Sequence, residues 1–280
     1  NKLYETKQVF YAIRDQKPNR FFVAADGPRS QRPEERERCD NIRKWVLDHI
    51  DWDCEVKTLF RDKNVGCGRG PSEAISWFFD HVDAGIILED DCLPCPSFFN
   101  FCEVKLEKYR HNSDVSIVSG NNFQIIQPMP IDADYYFSIF PSTHGWASWK
   151  RSWQGYDYHI KQWRKSDQKA LLNFLFKERK YQLWWKNQLD WIYEHQPEDM
   201  WDYQFHYHCM ARKQFAIIPK ANLVTNIGYG PDATHVSNPD NYFAKVPTHE
   251  LTFPLKHPET MVRNYEADLF IQKMLFGEAE

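Results

Sequence analysis

GIILEDDCLPCPSFF, residues 85 to 99, decides how the rest of the chain is read. Gly85 to Leu88 is a short apolar run with two β-branched residues, the pattern of a strand buried on both faces. Glu89, Asp90 and Asp91 follow at once. Pro94 and Pro96 stop the strand, and Ser97 is placed to cap a helix starting near Phe98. A buried strand thus delivers three carboxylates to its C-terminal edge, where open α/β sheets put their ligands. Adjacent carboxylates repel, and a divalent cation with oxygen ligands, Mn²⁺ or Mg²⁺, would offset the repulsion. The competing interpretation is a solvated acidic turn, which needs no such delivery by a strand.

The same theme occurs upstream. Residues 21 to 25 form an apolar run ending in Asp26-Gly27-Pro28-Arg29, although an ordinary turn would read the same way. Residues 2 to 16 have loosely helical spacing. Residues 33 to 50 form a charged amphipathic helix with Ile42, Trp45, Val46 and Ile50 facing inward. Residues 54 to 60 alternate as a strand does. Gly66, Gly68 and Gly70 then precede a helix, and a Gly-rich turn there can approach phosphate or sugar. It is neither a Walker loop nor GxGxxG. Residues 98 to 110 read as a helix, with strands at 115 to 119 and 135 to 140. Strands alternating with helices predict one mostly parallel α/β sheet.

The second half is rich in Trp and helix-like: HGWASWKRSW, a polar helix near 168 to 178, YQLWWKNQLDWIYEH and MWDYQFHYHCMARKQ. A strand, FAIIPK, follows, then a loop of Gly, Asn, Pro and His at about 226 to 248, and a helix near 259 to 276. Loops of that length in compact domains are usually functional. No linker divides the chain, so a single domain is expected over 1–280.

The 280 residues include 11 Trp, 14 Tyr and 20 Phe, enough for a large core and for stacking platforms under sugars. A net charge of −4 gives no basic field for nucleic acid. No apolar run approaches a membrane span, and no signal peptide is evident. Seven cysteines read as mostly buried thiols of a reducing compartment, so a cytoplasmic or membrane-peripheral location is expected. Cys92-x-x-Cys95 lacks a second half, so zinc is not expected. His206 and His208 read as packing or surface residues. The chain opens at Asn1 on a helical segment, and upstream residues, including a first strand, are expected.

Taken together, VAAD-GPR, LEDD followed by Pro and Phe-Phe, IVSGNN, GWASW, WDY and the GPDATHV loop resemble the A-type-fold nucleotide-sugar glycosyltransferases. The likeness is to the subgroup of N-acetylglucosaminyltransferase I and of bacterial nucleotide-diphospho-sugar transferases. It runs from about residue 9 to 240, and the acidic stretch is its most specific part. It implies a Rossmann-like, mostly parallel mixed sheet flanked by helices, with a nucleotide-binding half at about 1–125 and an acceptor-binding, Trp-rich half at about 126–280. It further implies transfer of a hexosyl or N-acetylhexosaminyl group from a UDP-sugar to a glycan or other hydroxyl acceptor. By resemblance, Asp26 holds the uracil base, Asp91 ligates the metal, Asp90 lies near the ribose or donor sugar, and Glu89 binds sugar hydroxyls. Asp202 is the general base, and His235 lies near the metal or diphosphate. Arg29, Gly68 and Trp146 join the nucleotide- and sugar-binding set.

One departure stands out: relatives carry a first strand ending in Asn-Arg, of which Asn1 would be a remnant. Asp202 beside Trp201 also reads as a helix N-terminal acid, and its place at the positive end of the dipole would keep it ionised. The loop at 228 to 244 is expected to close over the diphosphate. Inversion is expected, with a retaining transferase or a non-catalytic carbohydrate- or protein-binding module as alternatives.

Overall fold

The computed structural model describes residues 2–124, 131–228 and 246–277. The chain opens with α1 (Leu3–Gln16), β1 (Arg20–Ala25), α2 (Glu35–Asp48), β2 (Glu55–Phe60) and α3 (Gly66–His81). β1 and β2 pair in parallel, Arg20 opposite Glu55 and Ala25 opposite Phe60. A parallel pair needs a crossover, which α2 supplies. Phe10 of α1 meets Trp45 edge to face at 5.2 Å and also packs on Phe21 and Trp52, so this unit has its own aromatic seam.

Next come β3 (Ala84–Ile87), β4 (Cys92–Pro94), α4 (Pro96–Lys108), β5 (Val115–Ser119), β6 (Tyr135–Ser138), β7 (Trp146–Trp149) and the short α5 (Lys150–Trp153). A 3₁₀ turn at Trp163–Lys165 leads to α6 (Gln168–Leu175), α7 (Arg179–His195), α8 (Asp202–Ala211), β8 (Phe215–Pro219), β9 (Val224–Asn226) and α9 (Tyr265–Leu275). The architecture is mixed α/β. Its centre is a five-stranded sheet of order β3-β7-β5-β8-β6, flanked by helices.

The expected single, mostly parallel sheet is not what forms. Among the described residues β1–β2 stands as a separate ladder and β4–β9 as another. Within the five strands only β5–β8 is parallel; β3–β7, β5–β7 and β6–β8 are antiparallel. The cause is WASW, read as helical from its Trp content. It is β7, inserted antiparallel between β3 and β5. Its side chains alternate with period two: Trp146 packs with Trp153, Trp201 and Phe205 on one face, Ala147 and Trp149 with Phe98 and Phe101 on the other. Between them the Ser148 hydroxyl donates to the Ser116 carbonyl at 2.6 Å, so this polar group is satisfied in the core.

Two further expectations change. β3 is an edge strand, half-buried along its length, and not buried on both faces. One of its faces is covered by α3: a Cβ on Gly85 would lie 2.3 Å from the Phe78 ring. After it, 92–94 form a short strand, and the helix begins at Pro96 instead of Phe98. Ser97 does not cap it; its hydroxyl accepts from the Leu251 N–H at 3.1 Å. A third core joins α6, α7 and α9 around Trp163, Trp185 and Leu189. All seven cysteines are free thiols, five of them buried. No helix among the described residues is long and apolar enough to cross a membrane.

Candidate functional site

Glu89, Asp90 and Asp91 leave the end of β3 as a tight turn, closed by the Cys92 N–H donating to the Glu89 carbonyl at 3.1 Å. The turn is held by β9, because the Ile227 N–H donates to the Asp91 carbonyl at 2.8 Å. Gly228 approaches so closely that a Cβ there would sit 2.1 Å from Asp91 Oδ2. Only a glycine lets that backbone pass the carboxylate. On the other side the start of α1 brings Lys2 Nζ to 4.0 Å from the same oxygen.

The carboxylates themselves are sparsely partnered. Among the described residues the Glu89 and Asp90 side chains accept no hydrogen bond, and Asp91 has only the weak Cys92 thiol at 3.8 Å. Glu89 and Asp90 are exposed residues, yet protein crowds their other sides. Burial, then Asp91, Asp90 and Asp202, push the Glu89 carboxyl up to about 8. Burial and Asp91 raise Asp90 as well. Water on the open side screens part of this repulsion.

Asp202 is the first residue of α8, following Trp201. Its charge acts on Glu89, on Cys67 and on His144, so the start of α8 lies within electrostatic reach of the acid turn. His144 comes from the turn before β7, and burial pushes its charged form down while Asp91 and Asp202 oppose that. Sequence reasoning missed His144. The signal available was the His-Gly pair opening a strand disguised by its Trp content. Lys2 was missed too.

Other expected site residues are placed elsewhere or otherwise engaged. The Asp26 carboxylate accepts from the N–H groups of Gly27, Val65 and Gly66, at 2.9 to 3.1 Å, the Val65 N–H reaching both oxygens. These three N–H groups make Asp26 a cap for the start of α3 and take up most of a carboxylate's roughly four acceptor positions. Gly27 permits this, since a Cβ there would meet the Lys63 backbone at 2.4 Å. Arg29 grips buried Glu35 through its guanidinium and its own N–H.

Gly68 lies inside the first turn of α3, not in a loop before it. A Cβ there would meet the Glu198 carbonyl at 2.5 Å, so its closeness is to protein. Trp146 is 1 % exposed, a core ring with no face turned to a sugar. His206 is buried and pushed down to about 4 by that burial; His208 is bonded to the Ser152 carbonyl at 2.9 Å. His235 and the closing loop lie outside the described residues.

Does the acid turn suit a divalent cation? Its donors are hard oxygens, and they lack the N–H partners that would otherwise neutralise them. Yet no group of three or more His, Cys, Asp or Glu side chains among the described residues is arranged to hold a metal by itself. The fit is therefore to a cation shared with ligand oxygens and water, with Asp91 as the protein's main contribution.

The chain matches no protein-family model and no curated protein.

Proposed function

We propose that this chain is a metal-dependent glycosyltransferase, moving a sugar from a UDP-sugar to a hydroxyl acceptor with inversion. One observation carries the reading: the carboxylates at the end of β3 lack hydrogen-bond partners among the described residues and lie within electrostatic reach of Asp202. Acids with no structural employment in a cleft are the expected sign of a ligand site. The family likeness in the sequence supplies the reaction class and the uracil nucleotide. With Asp26 occupied as a helix cap, no residue here is assigned to the base.

Asp91 would hold Mn²⁺ or Mg²⁺, with His235 as a further candidate ligand. When bound, the ion supplies charge neutralisation to the departing diphosphate, acting as a Lewis acid. Asp202 takes the acceptor's proton as the new carbon–oxygen bond forms. The bond from the anomeric carbon to the phosphate oxygen breaks in the same displacement, and its electron pair leaves on the UDP. Glu89 and Asp90 are placed to accept from sugar hydroxyls, which would give each the hydrogen bonds it lacks.

A glycan array probed with labelled UDP-sugars and Mn²⁺ should reveal an acceptor. On that acceptor Asp202→Asn should slow transfer by about 10²- to 10⁴-fold, the usual range for a general base. Donor affinity should stay near parental. Near-parental transfer by the variant would remove Asp202 from the mechanism and favour retention.

A further inference from the structure

The turn between β6 and β7 is fixed against the acidic cleft. Gly145, at φ 70°, turns the chain into β7; a Cβ there would meet Val224 at 2.8 Å and Leu88, the residue preceding Glu89, at 3.2 Å. The Gly120 N–H donates to the Gly145 carbonyl at 2.7 Å. The Ser142 hydroxyl donates to Asn121 Oδ1 at 2.6 Å, and its N–H donates to Ser119 Oγ at 3.2 Å. The backbone around His144 is thus fixed, and its ring meets Phe123 edge-on at 5.9 Å.

Two polar groups on this wall have no use inside the described protein. The buried Asn121 Nδ2 has no hydrogen-bond partner, and the half-buried His144 ring nitrogens have none among the described residues. Buried polar groups are normally paired, so Asn121 Nδ2 asks for a ligand or a water, and the partly open His144 ring beside it is free to meet one. His144 also lies within the electrostatic reach of both Asp91 and Asp202. Pairing of Trp146 with Ile87 sets His144 beside the acid turn; if Asp91 marks the diphosphate end and Asp202 the acceptor end, a group reached by both charges is placed to meet the transferred sugar.

We infer that His144 hydrogen-bonds the sugar of the donor and takes part in choosing which sugar is accepted. This rests on the glycosyltransferase reading. A neutral imidazole offers one donor and one acceptor, which suits a hydroxyl or an acetamido group. Such a contact separates sugars by the placement of one polar group, since a site group left unpaired discriminates against the wrong substrate.

Calorimetry with Mn²⁺ tests this, comparing UDP with UDP-glucose, UDP-galactose and their N-acetylhexosamine counterparts. The parent, His144→Ala and His144→Gln are each titrated. The preferred UDP-sugar should bind roughly 3- to 10-fold more weakly to His144→Ala, the worth of one neutral hydrogen bond, while UDP changes by less than about twofold. His144→Gln, which keeps a donor and an acceptor, should recover part of the loss. Should the Ala variant fail to fold, the Gln variant must still rank the UDP-sugars differently from the parent with UDP unchanged. Equal weakening of UDP and UDP-sugar, or no weakening of any UDP-sugar, overturns the sugar contact. A parent that binds UDP but no UDP-sugar more tightly also overturns it, leaving the nucleotide site standing. A parent that binds neither overturns the transferase reading along with it.

Discussion

β1 and β3 both end in acid, and the two ends use their carboxylates differently. At the end of β1, Asp26 fills its oxygens with the N–H groups of Gly27, Val65 and Gly66, tying the strand to the start of α3. At the end of β3, Glu89 and Asp90 accept nothing among the described residues, and Asp91 has a thiol and a distant lysine. Two motifs alike in sequence, apolar strand then acid, thus divide into a staple and an open site. Hydrogen-bond status, which pattern alone does not reveal, makes the division. A carboxylate engaged by backbone N–H groups supports the fold. One left crowded and unpaired lowers the stability of the fold and is available to a ligand.

The comparison makes opposite demands on the two ends. Asp26→Ala should cost about 2 kcal/mol in denaturant unfolding, the loss of a helix cap together with its unpaired N–H groups. Its response to nucleotide should be secondary to that loss. Parental stability combined with lost nucleotide binding would make Asp26 a ligand residue after all, and the contrast would collapse.

Glu89→Gln should act the other way, with a smaller effect. Glu89 is held at about 8, above an ordinary glutamate's 4.5, so between those values the folded chain binds more protons than the unfolded one. The protonated form's relative stabilisation is fully present below 4.5 and is lost as pH rises through about 8. The ligand-free parent should therefore weaken over that window. Glu89→Gln should flatten the slope and raise stability at alkaline pH by at most about 1 kcal/mol, since the side chain is exposed and screened. An unchanged slope would mean that the repulsion is absorbed by water.

How much of this was legible beforehand follows from local pattern strength. α1, α7 and α8, with their aromatic and apolar spacing, were visible, as were β1, β2, β5 and β8 and the placing of three acids at a strand's end. β7 was not. Four residues carry too little periodicity to set against two tryptophans and a following basic run, and only its pairing with β3 and β5 makes WASW a strand. Missing β7 made the sheet read as mostly parallel and hid His144, which lies at the acid-bearing end of β3 because β7 runs antiparallel to it. The capping role of Asp26 was hidden for a different reason. Its partners at Val65 and Gly66 lie some forty residues away, and long-range hydrogen bonds leave no local trace.

The most direct test of the open acidic site is thermal and denaturant unfolding of the parent and Asp91→Ala, each alone, with UDP, with Mn²⁺, and with both. The parent should gain about 2.7 kcal/mol when both are present and UDP stands at about 100 times its dissociation constant. UDP alone should give far less, because a diphosphate beside three carboxylates is repelled unless a cation intervenes. Asp91→Ala should show no joint gain. A parent stabilised equally by UDP with and without Mn²⁺, a variant that responds as the parent does, or a parent unmoved by the pair would contradict the account.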